Sequence, residues 1–201
     1  MRKILNAYMA SYFGAWLNNQ NYTGTKSWVT GFTPRLFDDP AHVEHFFAAY
    51  PDGLIISVVR NPKNWFPSAF RHNRKIKKDK YGEIRSAMAQ WNVSANAAVR
   101  NKARYGERVC VLRFEDLIRN TPAVMHYLAE RLDIRFDDIL LVPTFNRCPI
   151  RANTSFDRRV PGILPETLTR HESLKDDDCA TIDAMTSDIY QRALDQAVTG
   201  F

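Results

Sequence analysis

The chain alternates short β-branched apolar runs with longer stretches in which apolar residues recur at helical spacing. Ile4, Leu5, Tyr8, Met9, Tyr12, Phe13, Trp16 and Leu17 fall on one face of a helix over 2–19. A loop to 26 and a short strand near 27–32 follow. Asp39-Pro40 opens a helix over 40–50, because Asp is a good N-cap and Pro suits the first helical position. The densest apolar run, Leu54 to Val59, is bounded by Pro51-Asp52-Gly53 and predicts an interior strand of a parallel sheet over 54–60. Helices are predicted at 62–72, 83–104, 122–132, 136–141 and 176–197, with a second core strand at 108–114. The long helix carries Ile84, Met88, Trp91, Val93, Ala95, Ala98 and Val99, and Gly106 ends it. The last carries Ile182, Met185, Ile189 and Leu194. Loop chemistry dominates 143–164, between Pro143 and Pro165. Strands separated by helices imply an α/β protein, and without repeats or a linker the expectation is one domain, 1–201.

The junction after the 54–60 strand carries the clearest chemistry. Arg60 stands at the lip of the strand, Asn61 is a helix N-cap, Pro62 occupies the first helical position, and Ser68 lies two turns on. A helix opening at the carboxyl end of a parallel strand offers N–H groups to an anion. A guanidinium there can fork two phosphate oxygens. Asn-Pro after a strand is also a common helix start, and Arg60 alone can be a surface residue; the combination is what points to phosphate.

The segment Arg60-Asn61-Pro62 with Ser68, preceded by a hydrophobic strand, resembles the 3′-phosphate-binding segment of sulfotransferases that use 3′-phosphoadenosine 5′-phosphosulfate (PAPS). Tyr50-Pro51-Asp52-Gly53 resembles the approach to that strand. Val109 to Leu117, with Phe114-Glu115-Asp116-Leu117, resembles a late core strand and turn, Thr121-Pro122 the helix after it, and Asn153-Thr154-Ser155-Phe156 an Asn-Ser-Ser-Phe element of bacterial-type members. The resemblance spans roughly 26–195. It implies a P-loop-NTPase-like sulfotransferase fold, a parallel sheet flanked by helices, and PAPS as sulfuryl donor. By the same resemblance Arg60, Asn61 and Ser68 hold the 3′-phosphate and Phe114 lines the adenine site. A late basic loop with Arg158 and Arg159 covers the nucleotide. The acceptor is a hydroxyl or amine on a carbohydrate or small molecule.

Two family features have no counterpart. The Pro-Lys/Arg-Ser-Gly-Thr-Thr loop that wraps the 5′-phosphosulfate is missing. Thr23-Gly24-Thr25-Lys26-Ser27 has suitable residue types but neither the Gly-x-x-x-x-Gly-Lys spacing nor a preceding strand. In Trp28 to Arg35, Phe32 stands where many members carry a His or Lys two residues before a Pro. No catalytic residue is assigned; His42, His45 and His72 are the nearby candidates for a base. With the first strand missing, the chain is expected to be the C-terminal portion of something larger, or to take that strand from elsewhere. The alternatives are therefore a remnant that binds 3′-phosphoadenosine nucleotides without transfer, or a basic polyanion-binding protein.

Composition adds bounds. The 201 residues carry a net charge of +6 with 45% hydrophobic and 12% aromatic residues, and the pI is about 9.3. This balance fits a globular protein with an anionic ligand. Arg71, Arg74, Lys75, Lys77, Lys78 and Lys80 form a basic run, but no aromatic residue is interleaved for base stacking, so nucleic acid is not the expected partner. Cys110, Cys148 and Cys179 form no Cys-x-x-Cys pair, and no His and Cys cluster has metal spacing. No transmembrane span is present. The polar Asn6 and Ser11 set the N-terminal stripe apart from a signal peptide, and the expected location is cytoplasmic.

Overall fold

The computed structural model describes residues 35–75, 83–142, 144–145, 148–149 and 162–201. The expected helix at 2–19, the strand at 27–32, Thr23–Ser27, Phe32, Asn153–Phe156, Arg158 and Arg159 lie outside them, as do Lys77, Lys78 and Lys80 of the basic run. The chain divides into two compact units, Met1–Gly53 and Leu54–Phe201.

In the first unit, helix α1 (Pro40–Ala49) starts as its sequence requires: Pro40 follows Asp39, whose carboxylate accepts the Ala41 N–H at 2.9 Å. It buries Val43 and Phe47. The Phe46 ring meets Phe37, Phe47 and Tyr50 at centroid separations of 5.2, 5.1 and 5.5 Å. The turn after α1 comes back onto this ring. A Cβ at Gly53 would lie 2.7 Å from the Phe46 ring and 3.0 Å from the Tyr50 carbonyl, so only glycine fits.

The second unit is mostly helical around a small parallel sheet. Strand β1 (Ile55–Val59) pairs in parallel with β2 (Val109–Arg113), in register from Ile55 opposite Val109 to Val59 opposite Arg113. Helices α2 (Pro62–Lys75) and α3 (Ile84–Tyr105) make the crossover. α3 packs along α6 (Asp176–Asp195), which buries Ile182, Thr186, Ile189 and Ala193 at helical spacing. Phe66, Ala87, Met88 and Ile182 form one core cluster. A second cluster lies against β2, where Cys110 and Leu112 pack with Val124 of α5 (Thr121–Arg131), with Tyr127, Val198 and Phe201 alongside. The Val198 N–H donates to the Val111 carbonyl at 2.9 Å, so the C-terminal tail lies beside β2.

Four expectations change. β1 does not have both faces buried. Ile56 and Val58 are 40% and 50% exposed, while Cys110 and Leu112, on the same rungs of β2, are 3% and 1% exposed. The difference follows from what covers each strand, since α5 and the tail pack on β2. Phe114-Glu115-Asp116-Leu117 is no turn: helix α4 (Phe114–Arg119) follows β2 without a spacer. The helix expected at 136–141 is a 3₁₀ turn, Asp138–Leu141, started by the Asp137 carboxylate accepting the Ile139 N–H at 3.0 Å. Within the expected loop, β3 (Thr144–Phe145) and β4 (Cys148–Pro149) form a short antiparallel ladder. No helix among the described residues is long and apolar enough to cross a membrane.

Candidate functional site

The junction after β1 is held by short-range capping and by one buried acid. The Asn61 side-chain oxygen accepts the Lys63 N–H at 2.9 Å, and its carbonyl accepts the N–H groups of Asn64 and Trp65 at 3.1 and 2.9 Å. The Asn61 N–H donates to Glu115 Oε1 at 3.0 Å. Glu115 is 4% exposed and opens α4. These bonds correct one expectation: the Asn61, Lys63 and Asn64 N–H groups at the start of α2 already have acceptors inside the chain, so the charge at this site comes from side chains.

Arg60 supplies it. Its Nη1 donates to Ser68 Oγ at 3.2 Å and its Nη2 to the Thr167 carbonyl at 2.5 Å. The guanidinium carbon lies 4.5 Å from the centre of the half-buried Phe114 ring, a cation–π arrangement. The Nε–H is buried without an acceptor. The Arg170 guanidinium donates to the same Ser68 oxygen from a 3₁₀ turn, Arg170–Ser173. Ser68 in turn donates to the Asn64 carbonyl at 3.3 Å, so both guanidinium groups use its lone pairs. Two like charges converging on one neutral hydroxyl repel. Burial above all, and then the Arg170 charge, lower Arg60 from its ordinary value to about 10, and the Glu115 carboxylate opposes them.

Three neighbours complete the arrangement. Asn64 is 6% exposed, and its Oδ1 is 3.0 Å from both the backbone N and the ring Nδ1 of His171. Lys63 Nζ pairs with Asp183 of α6 at 2.9 Å. The Tyr190 hydroxyl is pushed up to about 12, by burial first and by the Glu115 charge second, so it stays protonated.

The structure brings Arg60, Asn61, Ser68 and Phe114 together. It adds Arg170, Glu115, Thr167 and Asn64, which sequence reasoning missed. Arg170 had no local signal, because it meets Ser68 across 102 positions. Of the candidate bases, His42 places Nδ1 2.9 Å from the Leu36 carbonyl, and His45 and His72 are exposed on helices. A separate cleft of about 500 Å³, lined by His126, Tyr127, Phe136 and Phe201 among others, shares no residue with the arginine pair.

The fold and site define an α/β protein in which two guanidinium groups meet where a parallel strand turns into a helix. The chain belongs to the sulfotransferase family: residues 2–138 match the sequence pattern described as "Sulfotransferase family". Two solved structures share the fold. The sulfotransferase domain from the curacin biosynthetic pathway matches with a TM-score of 0.57 and 18% identity, over 77% of this chain and 60% of that one. The sulfotransferase domain of the Synechococcus PCC 7002 olefin synthase matches with a TM-score of 0.60 and 20% identity, over 84% and 58%. The chain thus spans about three-fifths of the length of each domain. No curated protein matches the sequence.

Proposed function

We propose that the protein works in PAPS-dependent sulfuryl transfer to a hydroxyl or amine acceptor, a carbohydrate or small molecule. In this reading Arg60, Ser68 and Arg170 hold the 3′-phosphate, Asn61 shapes the turn that presents Arg60, and Phe114 lines the adenine site. The observation that carries it is the convergence of two guanidinium groups on one neutral oxygen, with the Arg60 Nε–H lacking an acceptor. A phosphate dianion would supply acceptors to both arginines and neutralise their repulsion. In the reaction the acceptor oxygen or nitrogen attacks sulfur, the bond from sulfur to the phosphate oxygen breaks, and 3′-phosphoadenosine 5′-phosphate leaves as the acceptor proton passes to a base.

A second reading, nucleotide binding without transfer, draws support from Phe32 and from Thr23–Ser27, which lacks the spacing of a phosphate-cradling loop. One experiment separates the readings. Calorimetric titration with 3′-phosphoadenosine 5′-phosphate and with 5′-AMP measures the contribution of the 3′-phosphate, and transfer from labelled PAPS to a panel of acceptors measures turnover. Preference for the bisphosphate with transfer supports the enzyme. Preference without transfer supports the binding protein. Equal affinity for both nucleotides refutes the site.

A further inference from the structure

We infer that Asn64 is a positioning residue, whose buried carboxamide oxygen holds His171 and thereby sets Arg170 over Ser68 as the second guanidinium of the anion site. The inference rests on the phosphate reading above and goes beyond it, because it assigns the specificity for a 3′-phosphate partly to a residue that touches no ligand.

The argument begins with the amide. The group 3.0 Å from the His171 backbone N–H must be an acceptor, so the oxygen of Asn64, and not its nitrogen, faces the turn. The His171 ring Nδ1 is also 3.0 Å from that oxygen and therefore carries its proton there. Both lone pairs of the amide oxygen are thus used, and both by His171. Asn64 and Ser68 lie four residues apart on α2, so they are stacked on one helix face. Arg170 and His171 are consecutive on the facing 3₁₀ turn. The two pairs form a two-point attachment, His171 on Asn64 and Arg170 on Ser68.

The attachment matters because Arg170 shares the Ser68 hydroxyl with a second positive charge. Arg60 is on the same hydroxyl, and the Arg170 charge is one cause of the lowered proton affinity of Arg60. A long flexible side chain repelled by its neighbour leaves unless its backbone is anchored. Asn64 is a neutral anchor, and it fixes the turn without neutralising the positive charge a phosphate needs.

The test is a double-mutant cycle read as the ratio of affinities for 3′-phosphoadenosine 5′-phosphate and 5′-AMP, on the full chain. Arg170→Ala is expected to lower that ratio about 10-fold or more, the size of one charge-assisted contact. Asn64→Ala is expected to lower it by a comparable factor, and the double variant no further than Arg170→Ala alone. 5′-AMP affinity stays level throughout, which a general loss of structure would not allow. His171→Phe, at an exposed position, removes only the ring bond and is expected to lower the ratio about threefold; it serves if Asn64→Ala fails to fold. The inference is overturned if Arg170→Ala acts while both Asn64→Ala and His171→Phe leave the ratio intact, or if the Asn64 and Arg170 effects add. If Arg170→Ala itself changes nothing, the phosphate reading of the site fails, and this inference with it.

Discussion

Arg60→Met should sharply weaken 3′-phosphate recognition while leaving the fold about as stable as before. The free protein holds Arg60 against opposing costs. Its guanidinium is lowered from its ordinary value to about 10 by burial and by Arg170. At full weight that is about 3 kcal/mol against the charged form. The side chain is half-buried, so solvent screening reduces it to roughly 1–2 kcal/mol. Against this stand the bonds to Ser68 at 3.2 Å and to the Thr167 carbonyl at 2.5 Å. Each is worth about 1 kcal/mol net. Methionine keeps an apolar stem and thioether against Phe114. The opposing terms cancel to within about 1 kcal/mol. Binding has no such cancellation, because the phosphate loses a charge-assisted partner worth about 2–3 kcal/mol, roughly 30- to 150-fold in affinity. Urea unfolding followed by circular dichroism gives the first quantity, and calorimetric titration with 3′-phosphoadenosine 5′-phosphate the second. Destabilisation beyond about 3 kcal/mol would show that Arg60 serves the fold rather than a ligand, since measured losses of that size come from broken buried networks. Unchanged affinity would refute the reasoning outright.

Further outcomes follow from the same geometry. Affinity for the bisphosphate should hold through pH 9 and fall as the solution passes about 10, because the charged Arg60 binds the dianion and its proton leaves there rather than at the higher pH usual for a guanidinium; calorimetry at stepped pH checks this, and a fall already at pH 8 would assign the loss to another group. Glu115→Gln keeps an oxygen for the Asn61 N–H and should cost under about 1 kcal/mol, whereas Glu115→Leu leaves that donor buried and should cost about 1–3 kcal/mol in thermal unfolding. Leu112→Ala should cost about 3–5 kcal/mol, while Val58→Ala, its partner on the same rung, stays within about 0.5 kcal/mol; equal losses in urea unfolding would contradict their exposures of 1% and 50%.

The parts of the fold legible in advance were those written in short windows. Asp39-Pro40 and Asn61-Pro62 announce helix starts, and both caps form. The apolar run before Arg60 is a strand, and Ser68, eight positions on, comes within hydrogen-bonding distance of Arg60. Phe114–Arg119 escaped because a helix that begins directly at a strand end has no punctuation to mark it. The burial of β1 was overstated for a related reason. A run of Ile and Val shows that a strand can be buried on both faces, but only its neighbours decide whether each face is covered.

The amino-acid sequence by itself therefore determined the strand-to-helix junction, the spacing of Arg60 and Ser68, the long packed helices and the resemblance that led to the family. Only the tertiary structure decided which arginine joins Arg60, that Glu115 secures the turn from beneath, and that Asn64 ties the late turn to α2. Capping, periodicity and strand propensity act over a few residues and leave local marks. The meeting of Arg60 and Arg170 at one hydroxyl opposes their electrostatic repulsion, and it exists only because α2, α3 and α6 bury enough apolar surface to outweigh it. That balance is a property of the whole second unit, so no window of its sequence records it.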